Sequence, residues 1–339
     1  MSTGELIRYI SSVVEGLPYK LNVFPSTLVG GYGNPKTAVI KFSVEYPISN
    51  VLLNLSVSGK NLSRRRVIWK TVLKTVTLTR EFKPQVLMSV DDEAYASIVF
   101  DVSQIVREPG RYELTISCES SESIKIDEVG LVGFIPTEGA SVRLNYWAGV
   151  VALQPDDEYV MDLGNVEGVG KVSMIVTTPS RVAPISVKVP GKSVKVTGII
   201  GTDEINVDGI PFGRSNNVLI VRHEKSEMKY FPKNVILHEV LSYVPLKAGP
   251  KVEVSVRKTG EDEVEITVEN TGTSVVKDVV IVGLSAGFAV FRRVVDNLVP
   301  GERRVLRFNI PKDRVKSLIV RAIYYGVWGQ TVVTRRLEG

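Results

Sequence analysis

The chain has 339 residues, of which 44% are hydrophobic and 23% charged, and it carries 42 basic against 37 acidic side chains. This length is two or three times that of a typical domain, so we expect two or three domains with separate cores. The one cysteine, Cys118, cannot form an internal disulfide, and two histidines leave little material for zinc or histidine chemistry. The composition therefore excludes a disulfide-rich mini-protein and a cysteine-cluster zinc protein.

The formal net charge is +5, but the two signs are interleaved along most of the chain, which is typical of a solvated mixed surface. Basic clusters occur at residues 64–66, 292–293, 303–304 and 335–336. Nucleic-acid binding requires several such clusters on one face with aromatic residues between them, and the spacing does not indicate this. The longest apolar run, of about 13 residues at 279–291, is too short to span a bilayer. We expect neither a nucleic-acid partner nor a transmembrane segment.

The N-terminal segment has the pattern of an amphipathic helix. Ser2 and Glu5 have the spacing of a capping box, and Gly16 and Pro18 supply a stop signal. The apolar residues between them recur at helical intervals: Leu6, Ile7, Ile10, Val13, Val14 and Leu17. The pattern predicts a helix within residues 1–18. This helix would either cover the first domain or dock on a partner protein through Leu6, Ile10, Val13 and Val14.

After Pro18 the apolar pattern changes from helical spacing to alternation. Segments such as 39–44, 53–57 and 112–116 are short, rich in β-branched residues and separated by turn signals. The pattern predicts an all-β chain of two tandem jelly-roll-like sandwiches followed by an immunoglobulin-like sandwich. We place the three domains at residues 19–138, 139–247 and 248–339.

The first two regions repeat one order of motifs. Segments 47–51, 57–60, 111–116 and 134–136 of the first correspond to 179–182, 189–192, 217–221 and 243–245 of the second. The run from Phe100 to Val106, followed by the run from Pro109 to Ile116, resembles the galactose-binding-like jelly rolls. That family often binds sugars or calcium, but no sugar-binding constellation of the family maps onto this sequence.

The third region carries a Val-x-Asn-Thr-Gly motif ending at Gly272, a Val-x-Asp-Val-x-Val-like strand at 276–281, and Leu-x-Pro-Gly-Glu at 298–302. This pattern resembles the CARDB-type (cell-adhesion-related) immunoglobulin-like module. The resemblance covers about a quarter of the chain and implies a spacer or interaction domain rather than an enzyme.

Two groups of residues are candidates for ligand binding. Trp69, Tyr146 and Trp147 would stack on a sugar if their rings are exposed, and would otherwise fill cores or domain junctions. Asp156, Asp157 and Asp162 could supply oxygen ligands to Ca²⁺, although solvated turns have the same composition. We expect no other cofactor and no catalytic residue.

The sequence favours a non-catalytic structural or adhesive β-domain protein that mediates assembly with itself or with another protein. One alternative is an array of carbohydrate-binding modules, which needs exposed aromatic rings; another is a glycan-active enzyme with two carboxylates across a groove. The abundance of Val, Lys, Arg and Glu is typical of a thermophilic archaeon. The N-terminus lacks signal-peptide features, whereas the module families that the chain resembles are typical of cell-surface proteins. The sequence therefore does not assign a cellular compartment.

Overall fold

The structure is a computed structural model that describes residues 2–60, 62, 67–90, 92–165, 167–225, 234–247 and 249–337. Within these ranges lie strands β1 (Thr3–Glu15), β2 (Leu17–Val23), β3 (Thr27–Val29), β4 (Thr37–Val44), β5 (Ser49–Lys60), β6 (Ile68–Leu73), β7 (Val76–Glu81), β8 (Val86–Val90), β9 (Glu93–Asp101), β10 (Gly110–Glu119), β11 (Ile124–Ile135), β12 (Ser141–Leu153) and β13 (Glu158–Asp162). They continue with β14 (Gly168–Thr178), β15 (Ile185–Val189), β16 (Lys192–Val196), β17 (Gly201–Phe212), β18 (Val218–His223), β19 (Val235–Lys247), β20 (Val252–Lys258), β21 (Glu263–Asn270), β22 (Val276–Ser285), β23 (Phe288–Leu298), β24 (Arg303–Asn309), β25 (Ile319–Gly326) and β26 (Gly329–Arg336). A four-residue helix, α1 (Lys312–Val315), completes them, and the predicted all-β sandwich class is confirmed.

The N-terminal segment is a strand, so the predicted helix is wrong. β1 is the edge of a five-stranded sheet and lies beside β12. The two backbones approach so closely that a Cβ atom on Gly149 would lie 2.3 Å from the carbonyl oxygen of Glu5. Leu6 packs on one face of this sheet and Ile7 on the other. Apolar residues on both faces of a strand imitate helical spacing, which explains the error.

The first of two compact units comprises Met1–Val13, Tyr19–Ile135 and Arg143–Val244. Its described residues form two sandwiches. The first pairs the sheet β4-β10-β6-β7 with the sheet β2-β11-β5-β9-β8, to which β3 adds beside β11. The second pairs β13-β18-β15-β16 with β1-β12-β19-β14-β17. Strands β12-β19-β14-β17 repeat the order β2-β11-β5-β9, and β13-β18-β15-β16 repeat β4-β10-β6-β7.

The repeated topology agrees with the last two of the four motif correspondences in the sequence. Segments 111–116 and 217–221 belong to the equivalent strands β10 and β18, and β11 and β19 close the two sandwiches. The earlier two correspondences are wrong. Residues 47–51 lead into β5 whereas residues 179–182 follow the equivalent strand β14, and residues 57–60 end β5 whereas residues 189–192 join β15 to β16.

The two large sheets of this unit are covered on both faces. β5, β11, β12 and β19 are buried over almost their whole length, as expected for strands in the interior of a layered structure. One face of the β12–β19 sheet shares a core with the β15–β18 sheet, which includes Val172 and Val187. Its other face meets the first sandwich, where Met88 of β8 packs with Val150 and Ile236. The two sandwiches therefore join through their large sheets.

The second unit comprises Val14–Pro18, Pro136–Val142 and Pro245–Gly339. Sheet β20-β21-β24 packs on sheet β23-β22-β25-β26 around a core that includes Ile266, Ile281 and Val320. The side chain of Asn270 donates to the carbonyl oxygens of Ser274 and Leu298 at 2.9 and 2.8 Å. The Asn-Thr-Gly motif thus ties the turn after β21 to the turn after β23. No helix in the described ranges is long and apolar enough to cross a bilayer.

Candidate functional site

The three aromatic residues predicted to bind a sugar lie in the interior. Trp69 is 1% exposed, and its Nε1 donates to Oγ1 of Thr71 at 2.7 Å. Tyr146 is 1% exposed, and Trp147 is 6% exposed in the core of the second sandwich. None of the three ring faces is open to solvent, so a sugar cannot stack on them in this structure.

The acidic residues predicted to hold Ca²⁺ serve separate local contacts. Asp156 pairs with Nη2 of Arg222 at 3.4 Å, and Oδ2 of Asp157 accepts from the amide of Gln154 at 3.2 Å. Oδ1 of Asp162 accepts from the amide of Gly164 at 2.9 Å. The described residues contain no group of three or more His, Cys, Asp or Glu side chains that could hold a metal ion.

The four residues predicted as partner contacts of a helix lie along strand β1 instead. Because side chains alternate along a strand, Leu6, Ile10 and Val14 share one face and Val13 points to the other. Val13 is 53% exposed, whereas Leu6 packs on the core of the second sandwich. The set therefore does not form one contact face, but the strand that carries it remains at a sheet edge.

Two further groups from the sequence remain to be placed. His223, one of the two histidines, is fully buried, and its Nδ1 lies 3.0 Å from the carbonyl oxygen of Leu153. Burial lowers the pKa of His223. The basic cluster Arg64, Arg65 and Arg66 lies outside the described residues.

A layer of ionisable side chains between the two large sheets was not anticipated from the sequence. β11 and β19 hold equivalent positions in the two sandwiches, and each has an irregularity in its pairing, at 126–128 in β11 and at 237–239 in β19. A bulge lets neighbouring residues point to the same side. These two bulges place Asp127 and Glu128 of β11, and His238 and Glu239 of β19, in the buried interior.

Glu239 is the centre of the larger group in this layer. Its Oε1 lies 2.9 Å from Nζ of Lys20, and its Oε2 accepts from the hydroxyl of Tyr146 at 2.7 Å. Lys20 also pairs with Oε1 of Glu204 at 3.1 Å and donates to Oγ of Ser173 at 2.8 Å. One lysine from the first sandwich thus binds two carboxylates of the second.

Glu128 completes the group from the side of the first sandwich. Its Oε2 lies 3.3 Å from Oγ of Ser56 and 3.4 Å from Nδ2 of Asn54. Its Oε1 is buried and has no hydrogen-bond partner among the described residues. A Cβ atom on Gly130 would lie 3.1 Å from this oxygen, 3.1 Å from Oδ1 of Asn22 and 3.2 Å from Oε2 of Glu239. Three acceptor oxygens therefore surround the space that glycine leaves open.

The charges of this group determine its protonation. Burial, and then the carboxylate of Glu239, raise the pKa of Glu128 well above its ordinary value. Burial alone would lower the pKa of Lys20, but Glu239 and Glu204 outweigh it and raise that pKa. Burial opposes the ionisation of Glu204, yet Lys20 and Ser173 lower its pKa below the ordinary value. The surroundings therefore favour the charged form of Lys20 and the neutral form of Glu128.

A second group lies beside the first. Nε2 of His238 lies 2.7 Å from Oγ1 of Thr177, and burial lowers the pKa of His238 to about 4. Asp127 pairs through Oδ1 with Nζ of Lys125 at 2.7 Å. His238 therefore remains neutral across the physiological range.

Four side chains of these groups lie buried between the sheets: Glu128 and Glu239 are fully buried, and His238 and Asp127 are each 1% exposed. Lys20 of the first sandwich contacts Glu239 of the second, so this layer joins the two sandwiches. Sequence reasoning had one available signal, because Ile126-Asp127-Glu128-Val129 and Leu237-His238-Glu239-Val240 repeat at equivalent positions.

Two edge strands of one sheet are candidates for pairing with a strand of another molecule. β1 and β17 are the two ends of the large sheet of the second sandwich. β17 carries Asp203, Asp208 and Pro211, which oppose the addition of another strand. β1 carries Glu5, Arg8 and Glu15, but its stretch from Tyr9 to Val14 has neither a charged residue nor a proline, so this stretch lacks that protection.

No family model matches the chain, and no curated protein matches it. Solved structures with some similarity include an FMN-binding β-glucuronidase from Facaelibacterium prausnitzii L2-6, with 14% identity over 59% of this chain and 33% of that chain and a TM-score of 0.23. A β-glucuronidase from Ruminococcus gnavus in complex with D-glucuronic acid has 11% identity over 58% and 36%, with a TM-score of 0.22. The β-D-glucuronidase of Dictyoglomus thermophilum has 11% identity over 57% and 36%, also with a TM-score of 0.22.

The matched part is about a third of the length of each glucuronidase. At these identities and TM-scores the similarity defines neither the family nor the activity of this chain.

Proposed function

We propose that this chain is a non-catalytic structural or adhesive β-domain protein that mediates protein–protein assembly. The observation that carries the proposal is the position of β1 at the end of its sheet, with no strand of the described residues on its outer side. An edge strand presents a row of backbone N–H and C=O groups to which a strand of another molecule can add.

The composition of β1 supports this role. Its stretch Tyr9-Ile10-Ser11-Ser12-Val13-Val14 is uncharged and rich in β-branched residues, which favour strand pairing. The opposite edge, β17, is protected by charges and proline. One edge of this sheet is therefore suited to pairing and the other is not.

Two further observations support a non-catalytic role. The buried ionisable layer joins two sandwiches, and the acidic residues Asp156, Asp157 and Asp162 make turn and surface contacts. The resemblance of the third region to CARDB-type modules implies a spacer or interaction domain. The candidate aromatic rings for carbohydrate binding are buried, which weakens that alternative.

Proline scanning of β1 tests the proposal in the full-length chain. Ser11 and Ser12 are adjacent and exposed, and successive N–H groups of a strand point to opposite sides. One of the variants Ser11→Pro and Ser12→Pro therefore loses an N–H that faces β12, and the other loses one that faces outward. Thermal unfolding shows which variant is which, because only the variant whose lost N–H faces β12 loses a hydrogen bond of the sheet.

We expect the wild-type chain to associate in light scattering coupled to gel filtration over micromolar to millimolar concentrations. The outward proline variant should unfold at the wild-type temperature and associate less. A wild-type chain that stays monomeric throughout and binds an immobilised glycan would overturn the proposal and favour the carbohydrate-binding alternative.

A further inference from the structure

The outer face of the β23-β22-β25-β26 sheet in the second unit carries a continuous apolar row. Val280 of β22 is paired with Val294 of β23 on one side and with Ile323 of β25 on the other, and Ile323 is paired with Val332 of β26. The row thus crosses all four strands.

These residues point away from the core of their own sandwich. Their neighbours along the strands, Val279, Ile281 and Ala322, are core residues, and alternation turns the intervening side chains outward. The row itself is partly exposed, with Val332 at 51%. Val282, Leu284 and Ile319 add three more partly exposed aliphatic side chains to the same face. A solvated sheet face normally carries polar residues here, so this face has the composition of an interface.

Charges are distributed unequally at the two sides of the row. Arg292 and Arg321 are both paired with Val282, so they lie on one side of it. Asp278 and Asp296 are paired with each other on the opposite side. All four side chains are exposed. The face is therefore basic at one end, apolar in the middle and acidic at the other end.

We infer that this face docks on the same face of a second copy of the chain. When two such faces stack about a twofold axis that runs along the apolar row, each strand lies over its own copy in the opposite direction. β23 then lies over β23 of the other copy, and Arg292 faces Asp296, since each is two residues from Val294. The apolar rows meet in the centre, so charge complementarity and apolar burial both select a second copy.

The size of the face sets the expected strength. Four strands about 4.8 Å apart and about 26 Å long present roughly 500 Å² of flat area, at the lower end for specific interfaces. We expect a concentration-dependent dimer rather than an obligate one. The inference deepens the proposed function, on which it rests, because it names a second copy of the chain as a partner.

A matched pair of valines tests the apolar part in the full-length chain. Val332 on this face is 51% exposed, and Val305 on the outer face of the opposite sheet is 50% exposed. We expect Val332→Lys to raise the dimer dissociation constant about tenfold or more, because it places a cation in the apolar row. Val305→Lys should leave it unchanged, and both variants should unfold at the wild-type temperature.

A charge exchange tests the orientation. Arg292→Glu places two acidic residues opposite each other in the dimer, and Asp296→Arg places two basic ones, so each variant alone should be monomeric. An equimolar mixture of the two variants should form a heterodimer, because the introduced glutamate of one chain then faces the introduced arginine of the other. Sedimentation velocity shows whether each variant and the mixture of the two are monomeric or dimeric.

The outcomes separate this inference from the proposed function. One outcome overturns the face and leaves assembly through β1 in place. In it the wild-type chain associates, Val332→Lys associates as strongly as Val305→Lys, and the mixture of charge variants behaves like each variant alone. Association lost in Val332→Lys but retained in both proline variants of β1 supports the face and overturns the edge strand. A wild-type chain that is monomeric at every concentration overturns both this face and self-assembly through β1.

Discussion

Glu128 and Glu239 hold the fifth position of two equivalent strands, β11 and β19, and their carboxyl oxygens converge on one point beside Gly130. Each belongs to a different sandwich, so the tandem repeat brings a residue together with its own counterpart. Two carboxylates this close cannot both ionise without a large cost, and of these two Lys20 is paired with Glu239. Burial and the neighbouring carboxylate therefore raise the pKa of Glu128 and favour its neutral form in the interface.

Glu128→Gln should stabilise the protein increasingly as pH rises. The folded state raises the pKa of Glu128, so between its ordinary value of 4.5 and the raised value the folded state binds a proton that the unfolded state has lost. Stability from this group is therefore present at low pH and is lost as pH rises through that window. Glutamine imitates the neutral acid and can donate towards Asn22.

Urea unfolding of the wild type and Glu128→Gln from about pH 4 to pH 8 measures this difference. We expect the variant to gain about 1 kcal/mol or more at neutral pH relative to the wild type. A difference in unfolding free energy that does not change with pH would mean that Glu128 ionises normally in the fold.

Lys20→Met should destabilise the protein by about 3 kcal/mol, because it leaves the fully buried Glu239 without its cation and removes the partner of the partly exposed Glu204. The Lys20 side chain is only 12% exposed. Lys36→Met is the matched control: its pair with Glu119 has a similar distance of 3.1 Å, but the side chains are 73% and 57% exposed. We expect less than about 1 kcal/mol for the control. Equal losses in the two variants, measured by chemical unfolding, would contradict a structural role for Lys20.

Much of the fold could be predicted from the sequence, because strand alternation and turn residues act locally. The Asn-Thr-Gly turn after β21 is an example, since Asn270 accepts from the amide of Gly272 and donates to the carbonyl oxygen of Ser274 within the turn. β1 could not be predicted in the same way: its sheet is covered on both faces, so Leu6 and Ile7 are both apolar and the alternation disappears. In the sequence alone, a strand with apolar residues on both faces has the apolar spacing of a helix.

The buried layer illustrates a second limit. Alternation assigns Asp127 and Glu128 to opposite faces of β11, and only a bulge, which depends on the partner strand, brings both inside. The burial of Trp69, Tyr146 and Trp147 likewise depends on how sheets stack, which no local pattern encodes. The repeated Glu-Val pairs at 128–129 and 239–240 were the one local sign of this layer.

Gly130→Ala should destabilise the protein by about 1–3 kcal/mol, because the added methyl group meets three polar oxygens at 3.1–3.2 Å. Of these oxygens, Oε2 of Glu239 would have to move away from the hydroxyl of Tyr146, which donates to it at 2.7 Å. Gly213→Ala is the control in the same unit, since its Cβ atom meets nothing closer than 3.5 Å. Differential scanning calorimetry of both variants checks this; a Gly130→Ala protein as stable as the control would show that the three oxygens are free to rearrange.

His238→Asn should remove a loss of stability on acidification. The pH dependence that His238 gives to the unfolding free energy is opposite in sign to that of Glu128. The folded state lowers the pKa of His238 from 6.5 to about 4, so on acidification the unfolded state takes up a proton first. Stability from this group is therefore complete above pH 6.5 and falls as pH decreases towards 4, by about 3 kcal/mol in total. The asparagine amide can keep the contact with Thr177 without titrating. We expect the unfolding free energies of the wild type and His238→Asn to converge between pH 7 and pH 4, with the wild type losing more. Parallel pH profiles would show that His238 ionises alike in the folded and unfolded states.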